Sequence, residues 1–179
     1  EECVPDKIKA IDKGWMKKHR VYSDKPAGTT GYGFNMRKFP FNDINIRYAF
    51  GYLYDREKMN REMYYNEYEM MHSWFSGTMY ENEENIKFLY NPEKAIEHLK
   101  LAGFEKKNDE GILINSEGKP LRFEIFTQNF LTYMITPVQN MLKQYGIDMN
   151  IVNMDANTEW KNTNERNFTI YLHTYTGSV

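Results

Sequence analysis

The region between residues 121 and 174 constrains the fold most, because short apolar strands alternate with helices there. Apolar and polar residues alternate along residues 121–126, 147–151 and 168–172, which is the spacing of half-buried β-strands. Segments with helical patterning separate these three runs. The order strand, helix, strand, helix, strand favours parallel pairing with right-handed crossovers. The sequence therefore predicts an α/β fold with a mixed, largely parallel β-sheet flanked by helices.

The two helices between those strands have recognisable ends. Apolar residues at helical spacing predict a first helix that ends at Gly146, and Pro137 is expected to bend it or to start a fresh turn. Residues 155–164 are mostly polar and carry one large apolar side chain, a tryptophan. They predict a short second helix that begins near Asp155 or Asn157, both of which are suitable N-caps.

Ligands of such sheets bind outside the carboxyl ends of the strands. In this chain those ends fall at residues 127–130, 153–160 and 173–178. We therefore expect a ligand site along this edge of the sheet.

A strand followed by two capped helices is predicted between residues 29 and 65. Residues 32–35 form the apolar strand, and Asn42 and Asp43 are both suitable N-caps for the helix after it. That helix carries apolar residues at positions i, i+3, i+4 and i+7, which lie on one face. Asp55 is expected to cap the second helix.

Further helices are predicted nearer the start of the chain and in its middle. Residues 4–18 have apolar side chains at helical spacing and predict an amphipathic helix. Asn91 is expected to cap another helix, with proline in its first turn, and Gly103 to end it.

Two segments are expected to be irregular or strand-like. Residues 66–84 have no regular pattern and predict a partly buried loop. Residues 112–114 and 121–126 are apolar and flank residues 115–118, which have the composition of a turn, so a hairpin is predicted.

Composition and charge exclude several classes of protein. The 179 residues carry a formal net charge of −2, so no overall field favours binding to nucleic acid or to an anionic membrane. The single cysteine, Cys3, excludes an internal disulfide and a cysteine zinc site. No apolar run approaches the roughly 20 residues of a membrane span. The charged start is unlike a signal peptide, so we expect a mature chain or a piece of a longer one.

Ten residues stand at a characteristic fixed spacing: Asn35, Pro40, Phe41, Asn42, Asp43, Arg47, Ala49, Tyr54, Asp55 and Arg56. This pattern resembles that of the family 5 solute-binding proteins of ABC importers, the dipeptide and oligopeptide receptors. A second similarity covers the Asn-Pro-Glu-Lys-Ala sequence at residues 91–95 and the Ala-Gly-Phe at residues 102–104. The resemblance extends over about residues 32–178.

The resemblance implies a periplasmic-binding-protein-like lobe. Residues 1–31 would be an N-terminal helix and loop that lead to the hinge strand, and residues 32–179 a C-terminal-type lobe of a two-lobed receptor, truncated relative to full family members. Such a lobe belongs to the substrate-binding component of an ABC importer, which captures peptide-like solutes and delivers them to the permease subunits. The resemblance also implies a monomer, either periplasmic or extracellular and membrane-anchored, with no cofactor and no enzymatic activity.

Three candidate ligand-binding residues each have an ordinary structural alternative. Tyr32 lies on the strand that the resemblance assigns to the hinge, close to the cleft, and is equally suited to plain packing. Trp160 either plugs the end of the sheet, which its large apolar area favours, or forms a pocket wall, which the resemblance favours. Arg166 is suited to bind a ligand carboxylate through two hydrogen bonds, although a surface position at the end of a short helix is the commoner use of arginine.

The end of the chain supplies four more candidates, His173, Tyr175, Thr176 and Ser178. Polar and aromatic side chains leave the last strand there, at the predicted ligand edge. The resemblance aligns Tyr175 with a family tryptophan, and Ser178 with an aspartate that pairs with the free amino group of a peptide. Because a buried ammonium without a counter-charge is costly, either another acid serves in this chain or the ligand differs.

No metal or catalytic site is predicted. The four histidines share no metal-ligand spacing. Glu81, Glu83 and Glu84 form a solvated face or, in a rival interpretation, the carboxylates of a hydrolase. A saccharide receptor of the same fold is the alternative to a peptide receptor, since aromatic rings suit sugars. A plain interaction domain with exposed rings is a third alternative.

Overall fold

The structure is a computed structural model and describes residues 9–17, 19, 21, 28–73 and 75–175. The helices of this part are α1 (Lys9–Asp12), α2 (Ile44–Leu53), α3 (Arg56–Met63), α4 (Pro92–Leu101), α5 (Thr132–Gln144) and α6 (Ala156–Asn164). The strands are β1 (Thr29–Phe34), β2 (Lys106–Lys107), β3 (Leu113–Ile114), β4 (Arg122–Thr127), β5 (Asp148–Asn153) and β6 (Ile170–Tyr175).

The main sheet has four strands in the order β1, β6, β4, β5. β4 is parallel to both of its neighbours, with Ile125 opposite Ile151 on one side and Ile170 on the other. β1 is antiparallel to β6 at the edge of the sheet, with Tyr32 opposite Leu172. The predicted α/β fold with a mixed, largely parallel sheet is therefore confirmed.

The buried core lies on one face of this sheet. Ile125, Met149 and Ile170 from three neighbouring strands are fully buried there. α2 and α5 cover the same face with their apolar residues Phe50, Leu53, Ile135, Val138 and Leu142. β5 and β6 flank β4 on opposite sides, so right-handed crossovers place α6 on the other face. α6 contributes no buried residue.

Phe41 anchors the connection between β1 and α2. Its side chain is fully buried, stacks on Phe34 with ring centroids 4.5 Å apart, and meets Phe123 of β4 at 4.8 Å. Burial of one such ring contributes about 1.5–3 kcal/mol. The ring contacts of Phe41 therefore hold this connection against the sheet.

The helices begin where the sequence predicts. The carboxylate of Asp43 accepts a hydrogen bond from Asn45 N at 2.7 Å, and that of Asp55 accepts one from Lys58 N at 2.9 Å. The same arrangement starts α4 at Asn91 and α6 at Asp155. These bonds satisfy backbone donors that a helix leaves unpaired at its first turn.

The amphipathic helix predicted over residues 4–18 is wrong at its carboxyl end. α1 ends at Asp12, because Gly14 adopts a left-handed conformation with φ of 70°. Trp15 and Met16, which the pattern assigned to the apolar face, are exposed. Residues 4–8 and 18 of the predicted helix lie outside the described part.

The predicted hairpin between residues 112–114 and 121–126 is only partly right. The turn is present, since Gly118 N donates to Asn115 O at 2.9 Å, and a single bridge joins Ile114 to Pro120. However, β3 pairs with β2 rather than with β4. β4 is already bonded to β5 and β6, so it has no free edge for a third strand.

Two other expectations have a clear outcome. α5 is one continuous helix through Pro137, so no fresh turn begins there. The buried residues Ile135 and Val138 on either side hold it against the sheet. The loop predicted over residues 66–84 contains no helix or strand wherever the structure describes it, and the same holds for all of residues 64–91. Among the helices described, none is long and apolar enough to cross a membrane.

Candidate functional site

A cavity of about 230 Å³ lies against the sheet beside β1 and β6. β1 contributes Thr29, Thr30 and Tyr32, and β6 contributes Leu172. Thr29 and Thr30 lie opposite Tyr175 and Thr174, at the carboxyl end of β6. Met134 in the first turn of α5 also lines the cavity, since α5 starts just after the carboxyl end of β4. The cavity therefore lies along the edge at which ligands of parallel sheets bind.

Tyrosine rings form much of the cavity wall. Tyr32 and Tyr54 meet edge to face, with centroids 5.5 Å apart and planes at 82°. Tyr64 and Tyr68 meet in the same way at 4.9 Å and 85°. Tyr32 also packs on Phe50 at 5.3 Å, which connects the wall to the core. Edge-to-face pairs are favourable, so these contacts stabilise the orientation of the rings in the wall.

The hydroxyl groups of three of these tyrosines remain protonated over the whole physiological range. Burial raises the pKa of Tyr32 and of Tyr54, and it raises the pKa of Tyr64 to about 12. Within the described residues, these three hydroxyls make no hydrogen bond to another side chain or to the backbone. They are therefore available as donors to a group placed in the cavity.

Arg56 holds the loop of residues 64–91, here called the roof loop, which closes the cavity on the side away from the sheet. Its two terminal nitrogens donate to the main-chain oxygens of Met71 at 2.9 Å and Phe88 at 3.0 Å. Asn60 binds the same loop, donating to Tyr68 O at 2.7 Å and accepting from Tyr68 N at 3.3 Å. Arg56 and Asn60 both line the cavity, and the hydrogen bonds of both hold the roof loop in place.

The apolar part of the remaining wall is rich in thioethers. Met59, Met70, Met71 and Met134 line it together with Leu172. Methionine is unbranched and polarizable, so it adapts to differently shaped apolar groups and contacts aromatic rings favourably. The cavity thus combines adaptable apolar walls with a few fixed hydroxyl donors.

Comparison with known families identifies this architecture. The family described as bacterial extracellular solute-binding proteins, family 5 Middle, matches residues 4–179. The chain belongs to this family. The resemblance seen in the sequence is therefore confirmed over nearly the whole chain.

Individual proteins agree with this assignment. The uncharacterized protein y4wM of Sinorhizobium fredii is 31% identical, over 68% of this chain and 23% of that protein. NikA from Brucella suis, solved in complex with Fe(III)-EDTA, has a TM-score of 0.77 at 20% identity over 86% of this chain and 31% of its own. AppA, the oligopeptide-binding protein from Bacillus subtilis, solved with a nonapeptide, has a TM-score of 0.74 at 24% identity over 86% of this chain and 32% of its own.

The two solved structures share the fold of this family 5 chain. The chain spans less than a third of the length of NikA and AppA, with 31% and 32% covered, and 23% of the curated relative. It therefore corresponds to one portion of a longer architecture in each of them.

Tyr32 is the predicted ligand residue that the structure places in the cavity wall. Both interpretations of it hold at once, because its ring packs against Phe50 and Tyr54 while it also lines the cavity. Its role toward a ligand stays a prediction.

Trp160 does not plug the end of the sheet. It lies on α6 and is 71% exposed. The preceding residue, Glu159, accepts a hydrogen bond from Gln128 Nε2 at 2.8 Å, which holds the first turns of α6 beside the carboxyl end of β4. Trp160 is therefore an exposed ring near the ligand edge, separate from the cavity.

Arg166 lies at the opposite edge of the sheet from the cavity. It follows α6 with a positive φ of 58°, and its main-chain oxygen accepts a hydrogen bond from Asn35 Nδ2 at 3.1 Å. β6 begins four residues later and runs towards the cavity. The structure does not bring Arg166 together with Tyr32, and its side chain is exposed.

His173 lies on the face of the sheet opposite the cavity. Leu172 lines the cavity, and successive strand residues face opposite sides. The His173 ring is 5.6 Å from that of Tyr171, which shares its face. Tyr175 ends β6 opposite Thr29. Thr176 and Ser178 lie outside the described residues.

Several cavity residues were not predicted as ligand residues. Tyr54 and Arg56 belong to the pattern that carries the family resemblance, and that pattern was the available signal for them. Tyr64 and Met134 carry no such signal. They come together only through the packing of the loop after α3 against the start of α5.

No group of three potential metal ligands among His, Cys, Asp and Glu is present in the part of the chain that the structure describes. His72 lies near the roof, with its Nδ1 buried and without a hydrogen-bond partner among the described residues. Burial, followed by the charges of Arg56 and Lys87, lowers its pKa. His72 is therefore neutral at pH 7.

The acidic run after Phe75 forms a local turn. The carboxylate of Glu81 accepts hydrogen bonds from Gly77 N at 2.7 Å and Ser76 Oγ at 2.9 Å. These bonds, the backbone one first, lower the pKa of Glu81. Glu83 and Glu84 are exposed. A general acid needs a raised pKa, so this arrangement favours a solvated face over a catalytic site.

Proposed function

We propose that this chain forms one lobe of the substrate-binding component of an ABC importer, which captures peptide-like solutes outside the cytoplasm and delivers them to the permease. In this proposal residues 1–31 lead to a hinge strand and residues 32–179 form the C-terminal-type lobe. Family membership supports the transport role. The fold shared with AppA, which was solved with a nonapeptide, supports the peptide-like ligand.

The observation that carries the proposal is the cavity at the carboxyl edge of the sheet. It is bounded by rings and thioethers, and three of the tyrosines that line it have hydroxyls without a hydrogen-bond partner among the described residues. Such a wall suits an organic solute with both apolar groups and hydrogen-bond acceptors, as a peptide has. Hinged closure of a second lobe would cover the open side, with water filling the gaps around varied side chains.

The candidate residues take different places in this proposal. Tyr32 would contact the solute from the cavity wall, and Trp160 would contact it or the opposite lobe from the exposed edge. His173, Tyr175, Thr176 and Ser178 would belong to the segment that leaves β6 at the same edge. Arg166, which lies at the far edge of the sheet, would contribute only if a distant part of a long ligand reached it.

The cellular context follows from the same role. A solute-binding component acts outside the cytoplasm, either free in the periplasm or anchored to the membrane, and it docks transiently on permease subunits. We propose that it works as a monomer without a cofactor and catalyses no reaction on its solute.

Native mass spectrometry of the gently purified full-length protein tests the ligand class. Masses that leave on mild denaturation and differ by amino-acid residues would support a peptide receptor, whereas hexose spacing would establish the saccharide alternative. If the protein carries no ligand, calorimetric titration with mixed short peptides decides. No heat of binding with any peptide would contradict the proposal.

A matched pair of variants locates the site. Tyr32→Phe keeps the packing against Phe50 and removes the hydroxyl, so we expect peptide affinity to fall about threefold to tenfold, the usual worth of one hydrogen bond. Tyr90→Phe is the control, since the Tyr90 hydroxyl bonds to that of Tyr145 at 2.9 Å, outside the cavity. Equal losses in both variants would argue against a ligand contact at Tyr32.

A further inference from the structure

We propose that the cavity is a selective pocket for one large, uncharged side chain of the bound peptide, aromatic or long aliphatic, rather than a general wet space. This inference rests on the proposed function and adds the chemical class of the group that the pocket accepts. It is carried by the size of the cavity, by its wall and by the hydrogen bonds that its polar side chains already make.

The volume suits a single ring or a long aliphatic chain. An apolar cavity of about 150 Å³ holds benzene. The cavity here has about 230 Å³, so it is large enough for a phenyl or indole group or for a leucine or methionine side chain. An alanine methyl group would leave most of it unfilled.

The wall favours apolar contact that adapts to shape. Met59, Met70 and Met134 surround the space from α3, the roof loop and α5. Thioethers contact aromatic rings favourably, and their three rotatable bonds let the wall follow different apolar groups. Tyr32 and Tyr54 supply rigid ring faces at right angles on the sheet side. The wall should therefore select apolar side chains while tolerating differences in their shape.

A sugar ring fits this wall poorly. Sugar hydroxyls need acceptors as well as donors, and they are bound mainly by planar polar side chains. Arg56 and Asn60 are such side chains in the wall, and both are bonded to the main chain of the roof loop. A sugar would have to displace these bonds or leave its own hydroxyls unpaired, which is costly.

A charged side chain is also disfavoured. Glu69 lines the cavity but is exposed, so it offers a buried ammonium little compensation. Two of the five N–H donors of Arg56 bind main-chain carbonyls of the roof loop, so a carboxylate would compete with the contacts that hold the roof loop in place. Tyr32, Tyr54 and Tyr64 keep their protons, so they supply no negative charge for an ammonium and can donate to an acceptor such as the main-chain carbonyl beside the bound side chain.

Calorimetry on the full-length protein tests the inference. The probes are alanine pentapeptides in which one guest residue, Phe, Leu, Lys or Glu, is moved through all five positions. At one position we expect Phe and Leu to bind at least tenfold more tightly than Ala, and Lys and Glu to bind no more tightly than Ala. Equal affinity for all guests at every position would overturn the pocket while leaving a peptide receptor in place. Failure of every peptide to bind would overturn both proposals.

Substitutions at Met134 place the pocket. Met134→Trp fills the cavity, so we expect the preference for Phe over Ala to disappear. Met36→Trp is the matched control, because Met36 is 63% exposed in the connection between β1 and α2, at the far edge of the sheet. A preference that survives in Met134→Trp would overturn the assignment to this cavity.

A second variant covers the case in which Met134→Trp binds no peptide at all. Met134→Ala enlarges the cavity, so the affinity for a Trp guest should rise relative to the affinity for a Leu guest. If Met134→Ala ranks Leu and Trp as the unmodified protein does, the cavity does not hold the guest side chain and the inference is wrong.

Discussion

The side-chain amide of Asn35 donates a hydrogen bond to the main-chain oxygen of Phe168 at 2.9 Å. The same amide donates to the main-chain oxygen of Arg166 at 3.1 Å, and Asn35 is only 9% exposed. These bonds join the end of β1 to the segment that enters β6. Asn35→Ala removes both donors and leaves two carbonyls without them, so we expect the free energy of unfolding to fall by about 1–3 kcal/mol. Urea denaturation followed by circular dichroism measures the change.

An exposed asparagine provides the control for this prediction. Asn150 lies on β5 with its side chain exposed, so Asn150→Ala should change the free energy of unfolding by no more than about 0.5 kcal/mol. Equal destabilisation by the two substitutions would show that the bonds from Asn35 contribute nothing specific.

Arg56 is predicted to control the order of the roof loop. Arg56→Gln cannot reach both Met71 O and Phe88 O, which the guanidinium binds at 2.9 and 3.0 Å. We expect amide hydrogen exchange to become at least tenfold faster in residues 64–91, while the strands of the sheet keep their protection. Mass spectrometry of peptic fragments measures this.

Arg61→Gln is the matched control for the roof loop. Arg61 lies on the same helix and pairs with Glu62 at 3.3 Å, with both side chains more than half exposed at 60% and 53%. Because such exposed pairs contribute little, exchange in residues 64–91 should stay unchanged. Unaltered exchange in Arg56→Gln would mean that other contacts hold the loop.

The sequence predicts the sheet well because its signals there are local. Alternation in β4, β5 and β6 and capping residues such as Asp43 and Asp155 act within a few positions. The pairing of β3 is different, since it depends on which edges of β4 are already occupied. No pattern inside residues 112–114 carries that information.

The candidate site was harder to predict, because its residues are distant in the sequence and come together only in the folded chain. Tyr32 was identifiable from its strand and from the family pattern. Tyr64 and Met134 are 70 positions apart in the numbering and meet only because the roof loop folds back over α5. Arg166 looked suited to a ligand by residue type, yet the direction of β6 places it at the other edge.

Gly146 and Gly103 form a matched pair that separates backbone strain from steric conflict. Both have left-handed backbones, with φ of 83° and 84°. A Cβ at Gly103 would meet no atom within 4 Å, whereas one at Gly146 would lie 2.9 Å from the main-chain oxygen of Gly111. Gly103→Ala should cost about 1–2 kcal/mol from the conformation alone, and Gly146→Ala at least about 1 kcal/mol more from overpacking.

The comparison of the two variants by urea denaturation decides this prediction. Equal losses of unfolding free energy would mean that the backbone near Gly111 moves away freely. A smaller loss in Gly146→Ala than in Gly103→Ala would contradict the close approach between the end of α5 and residues 107–113 altogether.

Tyr64 predicts how stability depends on pH at the alkaline end. Burial, the largest cause, raises its pKa from 10.0 to about 12 in the folded protein, while the unfolded chain titrates near 10. The folded state therefore favours the protonated hydroxyl, and this contribution is fully present below pH 10. It is lost as the pH rises through 12, because there the folded state must also give up the proton. Tyr64→Phe has no hydroxyl to ionise, so the unmodified protein should lose stability more steeply than Tyr64→Phe between pH 10 and 12. Urea denaturation at closely spaced pH values measures both slopes, and parallel slopes would show that the hydroxyl of Tyr64 is not buried in the cavity wall.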